Sequence, residues 1–154
     1  RERIYIVAFL DNVDFDFPNN LNKNVSIHDM FETKIDDKYY YNNKPLFEKI
    51  KDDVANKDSI YQWRRKYVRE NKSGVCPTLT ANMGTGGHNV PIIKDNRGIR
   101  KLTPKECLNF QGFPRNFKLP NIADGQLYKQ AGNSVVVEVI KEIAKSIICS
   151  FVKV

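Results

Sequence analysis

Apolar and polar positions change period several times along the 154 residues. The chain opens on Ile4-Tyr5-Ile6-Val7-Ala8-Phe9, a β-branched and aromatic run leading into the turn-like Asp11-Asn12, which predicts a strand over 1–10. Residues 11–25, rich in Asn and Asp and holding Pro18, predict a loop. Ser26, with Asp29 three residues on, predicts a short capped helix to Phe31. Residues 36–60 are polar and mixed. There Tyr39-Tyr40-Tyr41 and Leu46, Phe47 and Ile50 supply core without a clear period.

From Tyr61 to Arg69 aromatics and cations interleave. Read as one strand, the stretch places Tyr61, Trp63, Arg65, Tyr67 and Arg69 on one face and Gln62, Arg64, Lys66 and Val68 on the other. Neither face is cleanly apolar. The pattern fits a surface that meets phosphates and bases. It also fits a half-buried edge strand whose arginine stems lie along apolar surface. Val75 to Ala81 predicts a further strand, and Val90-Pro91-Ile92-Ile93 another. Between them runs Asn82-Met83-Gly84-Thr85-Gly86-Gly87-His88-Asn89, whose glycines let backbone approach a ligand closely. It is not a GxxxxGK[ST] phosphate loop, since no Lys-Ser/Thr follows and the next segment reads as strand. Taken alone it also fits a hairpin with no role.

Thr103-Pro104-Lys105-Glu106 predicts a helix start, with Thr103 as N-cap, Pro104 at the first helical position and Glu106 closing a capping box. Gly112 and Pro114 end that helix early. Residues 114–132 read as irregular. Asn133 or Ser134 then caps a longer helix to about Ser150. Val136, Val139, Ile140, Ile143, Ile147 and Ile148 form its apolar stripe, opposite Glu138, Lys141, Glu142 and Lys145.

Composition adds a location for charge. The net charge is +7, but residues 61–120 hold 12 basic and 3 acidic residues while residues 11–60 hold 7 basic and 11 acidic. A basic block of that size suggests a polyanionic partner, nucleic acid above all, and it also fits a solvated basic face. No apolar run reaches the ~18–20 residues of a membrane span. Three widely spaced cysteines form neither a disulfide framework nor a CxxC metal pair, so the expectation is a reducing, intracellular setting without a metal site.

Four strings then occur in order: Arg1-Glu2-Arg3-Ile4-Tyr5-Ile6, Arg100-Lys101-Leu102-Thr103-Pro104-Lys105-Glu106-Cys107, Gln111-Gly112-Phe113-Pro114, and Tyr128-Lys129-Gln130-Ala131-Gly132-Asn133-Ser134-Val135. Together they resemble the C-terminal conserved blocks of the DNA (cytosine-5) methyltransferases of restriction-modification systems. The stretch from Tyr61 to Ile93 resembles that family's variable target-recognition region. The resemblance implies an α/β class, or α+β as a fragment. A mostly β target-recognition domain over 26–125 would be flanked by a strand with its exit loop (1–25) and a C-terminal helix (126–154), both belonging to a Rossmann-like catalytic domain. It implies that Arg1 and Arg3 reach the flipped cytosine and its catalytic neighbours. It implies that Asn133, Ser134 and Val135 line part of the S-adenosylmethionine pocket, and that Glu106 organises the recognition domain. The family usually carries Arg where Asn109 stands, which puts one salt link near the 104–110 helix in doubt. Candidate contacts to double-stranded DNA are Arg64, Arg65 and Arg69, with Thr80, Asn82, Gly84, Thr85, Gly86, Gly87 and His88 entering the major groove.

The family's nucleophile is a Cys that follows Pro. Cys76 precedes Pro77, Cys107 lies in the short helix and Cys149 in the last one, so none fits. A thiolate must add to the ring before methyl transfer. The expectation is therefore a fragment, a processed product or one subunit of a split enzyme of the prokaryotic, nucleoid-associated cytoplasm. It would be inactive alone and need the N-terminal catalytic part. The exposed last-helix stripe offers a self-association face in a truncated form. Two further readings stand beside this one: a non-enzymatic, sequence-specific DNA-binding module or remnant, and a generic basic α/β domain. Gly132-Asn133-Ser134-Val135 argues against a pure DNA binder, which has no use for it.

Overall fold

In the computed structural model, residues 3–19, 25–71, 74–85 and 90–152 are described. They form two units, one of residues 25–134 and one of residues 3–19 with 135–152.

The first unit is built on a four-stranded antiparallel sheet. Its strands are β1 (Ile60–Trp63), β2 (Val68–Asn71), β3 (Ile92–Lys94) and β4 (Ile99–Lys101), in the order β2-β1-β3-β4. The basic-aromatic stretch is thus two strands and not one. β1 and β2 pair with Trp63 opposite Val68, and residues 64–67 close the hairpin with the Arg64 amide donating to the Tyr67 carbonyl at 2.9 Å. The apolar residues of this hairpin gather before the turn and the cations in it, which is why neither face of a single strand looked apolar.

Both faces of the sheet are buried, as its alternating residues show. Ile60 and Ile93 join one core with Leu79, Met83, Leu102, Cys107, Leu108 and Tyr128. Tyr61, Trp63, Ile92 and Ile99 join another with Tyr41, Ile50 and Val54. The short helix α1 (Phe47–Ile50) supplies part of the second core.

Two helices cover the first core. α2 (Pro104–Phe110) begins at the predicted capping box: the Thr103 hydroxyl accepts from the Glu106 amide at 3.0 Å, and the Thr103 amide donates to Glu106 at 2.8 Å. α3 (Asp124–Asn133) occupies part of the stretch read as irregular. Its sequence offers only Leu127, Tyr128 and Ala131 as buried apolar positions, with Gly132 buried beside them, so tertiary packing rather than a strong apolar period sets it. It lies within the 25–134 unit.

Other predictions are corrected. Residues 75–80 are irregular and lead into a 3₁₀ turn at Ala81–Gly84, so the expected strand there is absent. The Ser26-capped helix is a 3₁₀ turn, Ile27–Met30. With its several helical segments, the 25–134 unit is mixed rather than mostly β.

In the second unit, residues 3–10 join no ladder among the described residues. They keep the alternation of a strand, with Arg3, Tyr5, Val7 and Phe9 half-buried and Ile4, Ile6 and Leu10 open. A strand without a neighbour has nowhere to place its backbone hydrogen bonds. The final helix, α4, runs Val137–Val152. It starts past Ser134, because Asn133 ends α3 and Ser134 is that helix's C-cap. Ile143 is buried on it, while Ile148, Phe151 and Val152 are exposed. Phe9 meets both Phe15 and Phe151, with ring centroids 5.5 and 5.6 Å apart.

One buried ion pair ties the first unit together. Arg100 holds Glu106 through two hydrogen bonds of 2.8 Å, with side-chain exposures of 2% and 0%. Removing one partner would strand the other charge in the core. Glu106→Ala is expected to cost roughly 3–5 kcal/mol, read as a shift of the urea unfolding midpoint. The same arginine donates Nε to Asp95 at 2.8 Å. Burial pushes the Asp95 carboxyl up, but hydrogen bonds from the Tyr40 hydroxyl and from Arg100 outweigh it and hold the group below its ordinary value. Its stabilising contribution is present above the unfolded-state carboxylate range and lost as pH falls through the lower folded value. In acid titrations followed by circular dichroism, Asp95→Asn is expected to remove that part of the pH dependence.

A second test concerns a close backbone approach. A Cβ on Gly132 would lie 2.2 Å from the carbonyl carbon and oxygen of Thr80. Gly132→Ala is expected to destabilise by about 1–3 kcal/mol, the usual cost of overpacking, measured by thermal unfolding.

Candidate nucleic-acid and cofactor interface

The predicted DNA contacts divide between two places. The first is the β1–β2 hairpin. Arg64, Arg65 and Lys66 are exposed in its turn, and Arg69 is exposed on β2 opposite Gln62. Among the described residues none of these four cations has a carboxylate partner. Arg65 has φ 66°, the left-handed conformation that side chains other than glycine seldom adopt. Trp63, at the end of β1, lies beneath. With Pro45, Leu46, Lys49 and Arg65 it lines an open depression of about 390 Å³. Trp63 itself is buried, so what the depression offers a ligand is the exposed Arg65 guanidinium and Lys49 ammonium at its rim, a surface suited to an anion.

The second place is the turn after residue 79. Thr80 precedes the 3₁₀ turn, and Asn82 and Thr85 are exposed on it, with the Thr85 hydroxyl donating to the Asn82 carbonyl at 2.9 Å. Gly84 faces inward: a Cβ there would sit 2.4 Å from the Gly125 carbonyl oxygen of α3. Packing against α3 accounts for glycine at 84. Gly86, Gly87 and His88 lie outside the described residues, as does Arg1.

Arg3 is half-buried in the segment 3–10. The proposed cofactor residues lie at the break between α3 and α4. Asn133 is exposed as the last residue of α3, and Ser134 and Val135 are half-buried. The Ser134 hydroxyl donates to the Ala131 carbonyl at 2.8 Å. The Gln111 amide donates to that same carbonyl at 3.1 Å, joining the end of α2 to the end of α3. The expected helix start at 133–134 is therefore a helix end. At a helix end the outward-turned backbone groups are carbonyls, not amides.

The 80–84 turn and the 133–134 cap are carried by one helix. The turn packs along α3 at Gly125 and Tyr128 near one end and Gly132 near the other. Sequence reading placed these residues in separate blocks and missed the helix between them.

Two other positions behave as follows. Asn109, where the resemblance leads one to expect Arg, donates Nδ2 to the Met30 carbonyl at 2.9 Å, and its buried Oδ1 has no hydrogen-bond partner among the described residues. The amide thus ties α2 to the 27–30 turn with a neutral bond. Among the cysteines, Cys107 is wholly buried and its thiol is pushed well up by burial. Burial pushes Cys76 up to about 12, and Cys149 is exposed on α4. No group of three or more His, Cys, Asp or Glu side chains fit to hold a metal occurs among the described residues. No described helix is long and apolar enough to cross a membrane.

Comparison with known proteins places this arrangement. Residues 1–149 match the family model of the C-5 cytosine-specific DNA methylases. The chain is 56% identical over 155 aligned positions to the Type II methyltransferase M.Bsp6I of Bacillus sp. (strain RFL6), covering 96% of this chain and 49% of that protein. It is 37% identical to the Type II methyltransferase M.HaeII of Haemophilus aegyptius, covering 97% of this chain and 46% of that one. The chain thus spans about half the length of the curated relatives it matches. A solved structure, the Entamoeba histolytica methyltransferase EhMeth, shares the fold with a TM-score of 0.63 at 18% identity, over 92% of this chain and 46% of that one. Matched by the family's model over residues 1–149, the chain belongs to the C-5 cytosine-specific DNA methylases.

Proposed function

We propose that this chain is the target-recognition and cofactor-completing part of a DNA (cytosine-5) methyltransferase, an enzyme moving a methyl group from S-adenosylmethionine to C5 of a cytosine within a short duplex site. The 25–134 unit reads the DNA. Residues 3–19 and 135–152 belong to the catalytic domain, whose remaining part supplies the nucleophilic thiol. The observation that carries this reading is the β1–β2 hairpin. Its turn presents Arg64, Arg65 and Lys66 to solvent, with no carboxylate partner among the described residues, on a chain of this family.

Three features support the division of labour. Burial raises the Cys76 and Cys107 thiols, and none of the three cysteines, exposed Cys149 included, follows a proline. The open side chains Ile4, Ile6 and Leu10, with Ile148, Phe151 and Val152, form apolar surface that the rest of the enzyme would cover. The relatives are about twice as long, which provides the chain to cover it. In a truncated form the same surface would favour self-association.

The 133–135 segment fits one wall of a cofactor site and no more. Asn133 brings an exposed amide with both donor and acceptor character, and the Ser134 hydroxyl donates its proton to Ala131. S-adenosylmethionine, when bound, supplies the methyl group. Asn133 would hold part of the cofactor, and Arg1 and Arg3 would act on the target base. In the DNA, Arg64, Arg65 and Arg69 contact phosphates or guanine edges. The exposed Asn82 and Thr85 approach the groove, followed by Gly86, Gly87 and His88. Thr80 and Gly84 hold the turn on α3.

Arg64→Ala in the intact methyltransferase is expected to weaken duplex binding and lower the slope of log affinity against log salt by about 1. An unchanged slope would count against the hairpin. Arg65→Gly relieves the left-handed conformation. Its expected result is stability equal to or up to about 1 kcal/mol above the parent, with weaker DNA binding. Asn133→Ala is expected to raise the cofactor dissociation constant without altering which site is methylated, measured by calorimetry and by mapping of the methylated bases.

A further inference from the structure

The pattern over residues 36–60 predicts core from Tyr39, Tyr40, Tyr41, Leu46, Phe47 and Ile50 but no function, yet the fold sets a second group of cations there. Lys38 and Lys101 lie over the ring of Tyr39, Lys38 also reaches Asp124 at the start of α3, and Lys44 adjoins Lys38 over the ring of Tyr41. Lys38 is neutralised locally: its Nζ lies 2.9 Å from Asp124, which also accepts from the Tyr39 hydroxyl at 3.0 Å. Lys44 and Lys101 have no carboxylate partner among the described residues. The Lys44 ammonium donates to the Lys38 carbonyl at 2.6 Å and lies 5.5 Å from the centre of the Tyr41 ring. The Lys101 ammonium lies between two rings, 5.6 Å from Tyr39 and 5.4 Å from Tyr128.

Lys101 is the unusual member. It is half-buried against two buried tyrosines. Burial first, and then the neighbouring Lys44, hold its ammonium below the ordinary lysine value. Aromatic faces and the attraction of Asp124 offset part of that cost, but the charge remains partly desolvated, with no carboxylate in ion-pair contact among the described residues. An arriving anion would complete it. The place also adjoins the candidate recognition turn: Asp124 is followed by Gly125, which packs on Gly84, and Tyr128, which carries Lys101, packs there too.

We propose that Lys44 and Lys101 hold backbone phosphates of the duplex beside the 80–85 turn, a second anchoring point separate from the hairpin. The two ammonium groups fix the register of the DNA without reading its sequence, as phosphate contacts do. Held by the Tyr39 and Tyr128 rings, Lys101 is pre-positioned and loses little side-chain freedom on binding. This inference rests on the reading of the 25–134 unit as the part that reads DNA.

The test uses the intact methyltransferase and duplex DNA bearing its site, with affinity measured across a series of salt concentrations. Lys44→Gln, on an exposed side chain, is expected to lower the salt slope by about 1, and the Lys44→Gln/Lys101→Gln pair by about 2. Specific and non-specific duplexes should weaken by the same factor, and Lys101→Arg should keep most of the affinity. An unchanged slope in Lys44→Gln and in the pair, with Arg64→Ala lowering it, would overturn the phosphate site and leave the hairpin reading standing. A parent enzyme that fails to bind duplex would overturn both. If Lys101→Gln unfolds the protein, Lys44→Gln alone decides.

Discussion

The buried pair of Arg100 and Glu106 is the interaction on which the 25–134 unit depends. Two charges with almost no exposure must recover a large desolvation cost, and they do so only when every polar atom is engaged. Here the engagement is dense. Besides the bidentate contact, Glu106 accepts from the amides of Glu32 and Thr103, and Arg100 reaches Asp95 and the Lys101 carbonyl. Asp95 in turn accepts from the Tyr40 hydroxyl and from the amides of Arg97 and Gly98. One ion pair thus joins strand β4, the β3–β4 turn, helix α2 and the segment around residues 30–40.

From that joint the candidate sites follow in order. Glu106 starts α2, and the end of α2 reaches α3 through Gln111. α3 carries the 80–84 turn against Gly125, Tyr128 and Gly132, and it ends at Asn133. The turn proposed to meet DNA and the cap proposed to meet the cofactor are therefore mounted on one ten-residue helix. Such a mount favours fixed spacing between the two. The exposed hairpin stands at the β2 edge of the sheet, where its cations cost the core nothing.

Local chemistry made some of this legible in sequence and left the rest hidden. The Thr103-Pro104-Lys105-Glu106 start was readable because a capping box is satisfied within four residues. That Glu106 also receives Arg100 in the core was not, since a charge-rich stretch reads as surface until its partners are known. The run from Tyr61 to Arg69 misled because a tight turn closed by a left-handed arginine lacks the Asn-Gly signal of a short hairpin. α3 escaped notice because Asp124 to Asn133 is mostly polar and small, and its two close glycine approaches appear only in three dimensions. The segment 3–10 shows the converse: the strand pattern is present in the residues, and the neighbouring strands are not among those described. The four ordered blocks identified the family, which the comparisons bear out. The individual site residues are located by the fold but rest on the proposal.

The central claim is that this chain recognises DNA and completes the cofactor site while the thiol comes from elsewhere in the enzyme. Transfer of tritiated methyl from S-adenosylmethionine to duplex DNA measures it directly, with the chain alone and with the N-terminal catalytic part added. The account predicts transfer only in the mixture. Transfer by this chain alone, or specific DNA binding with no transfer in the mixture, would contradict it.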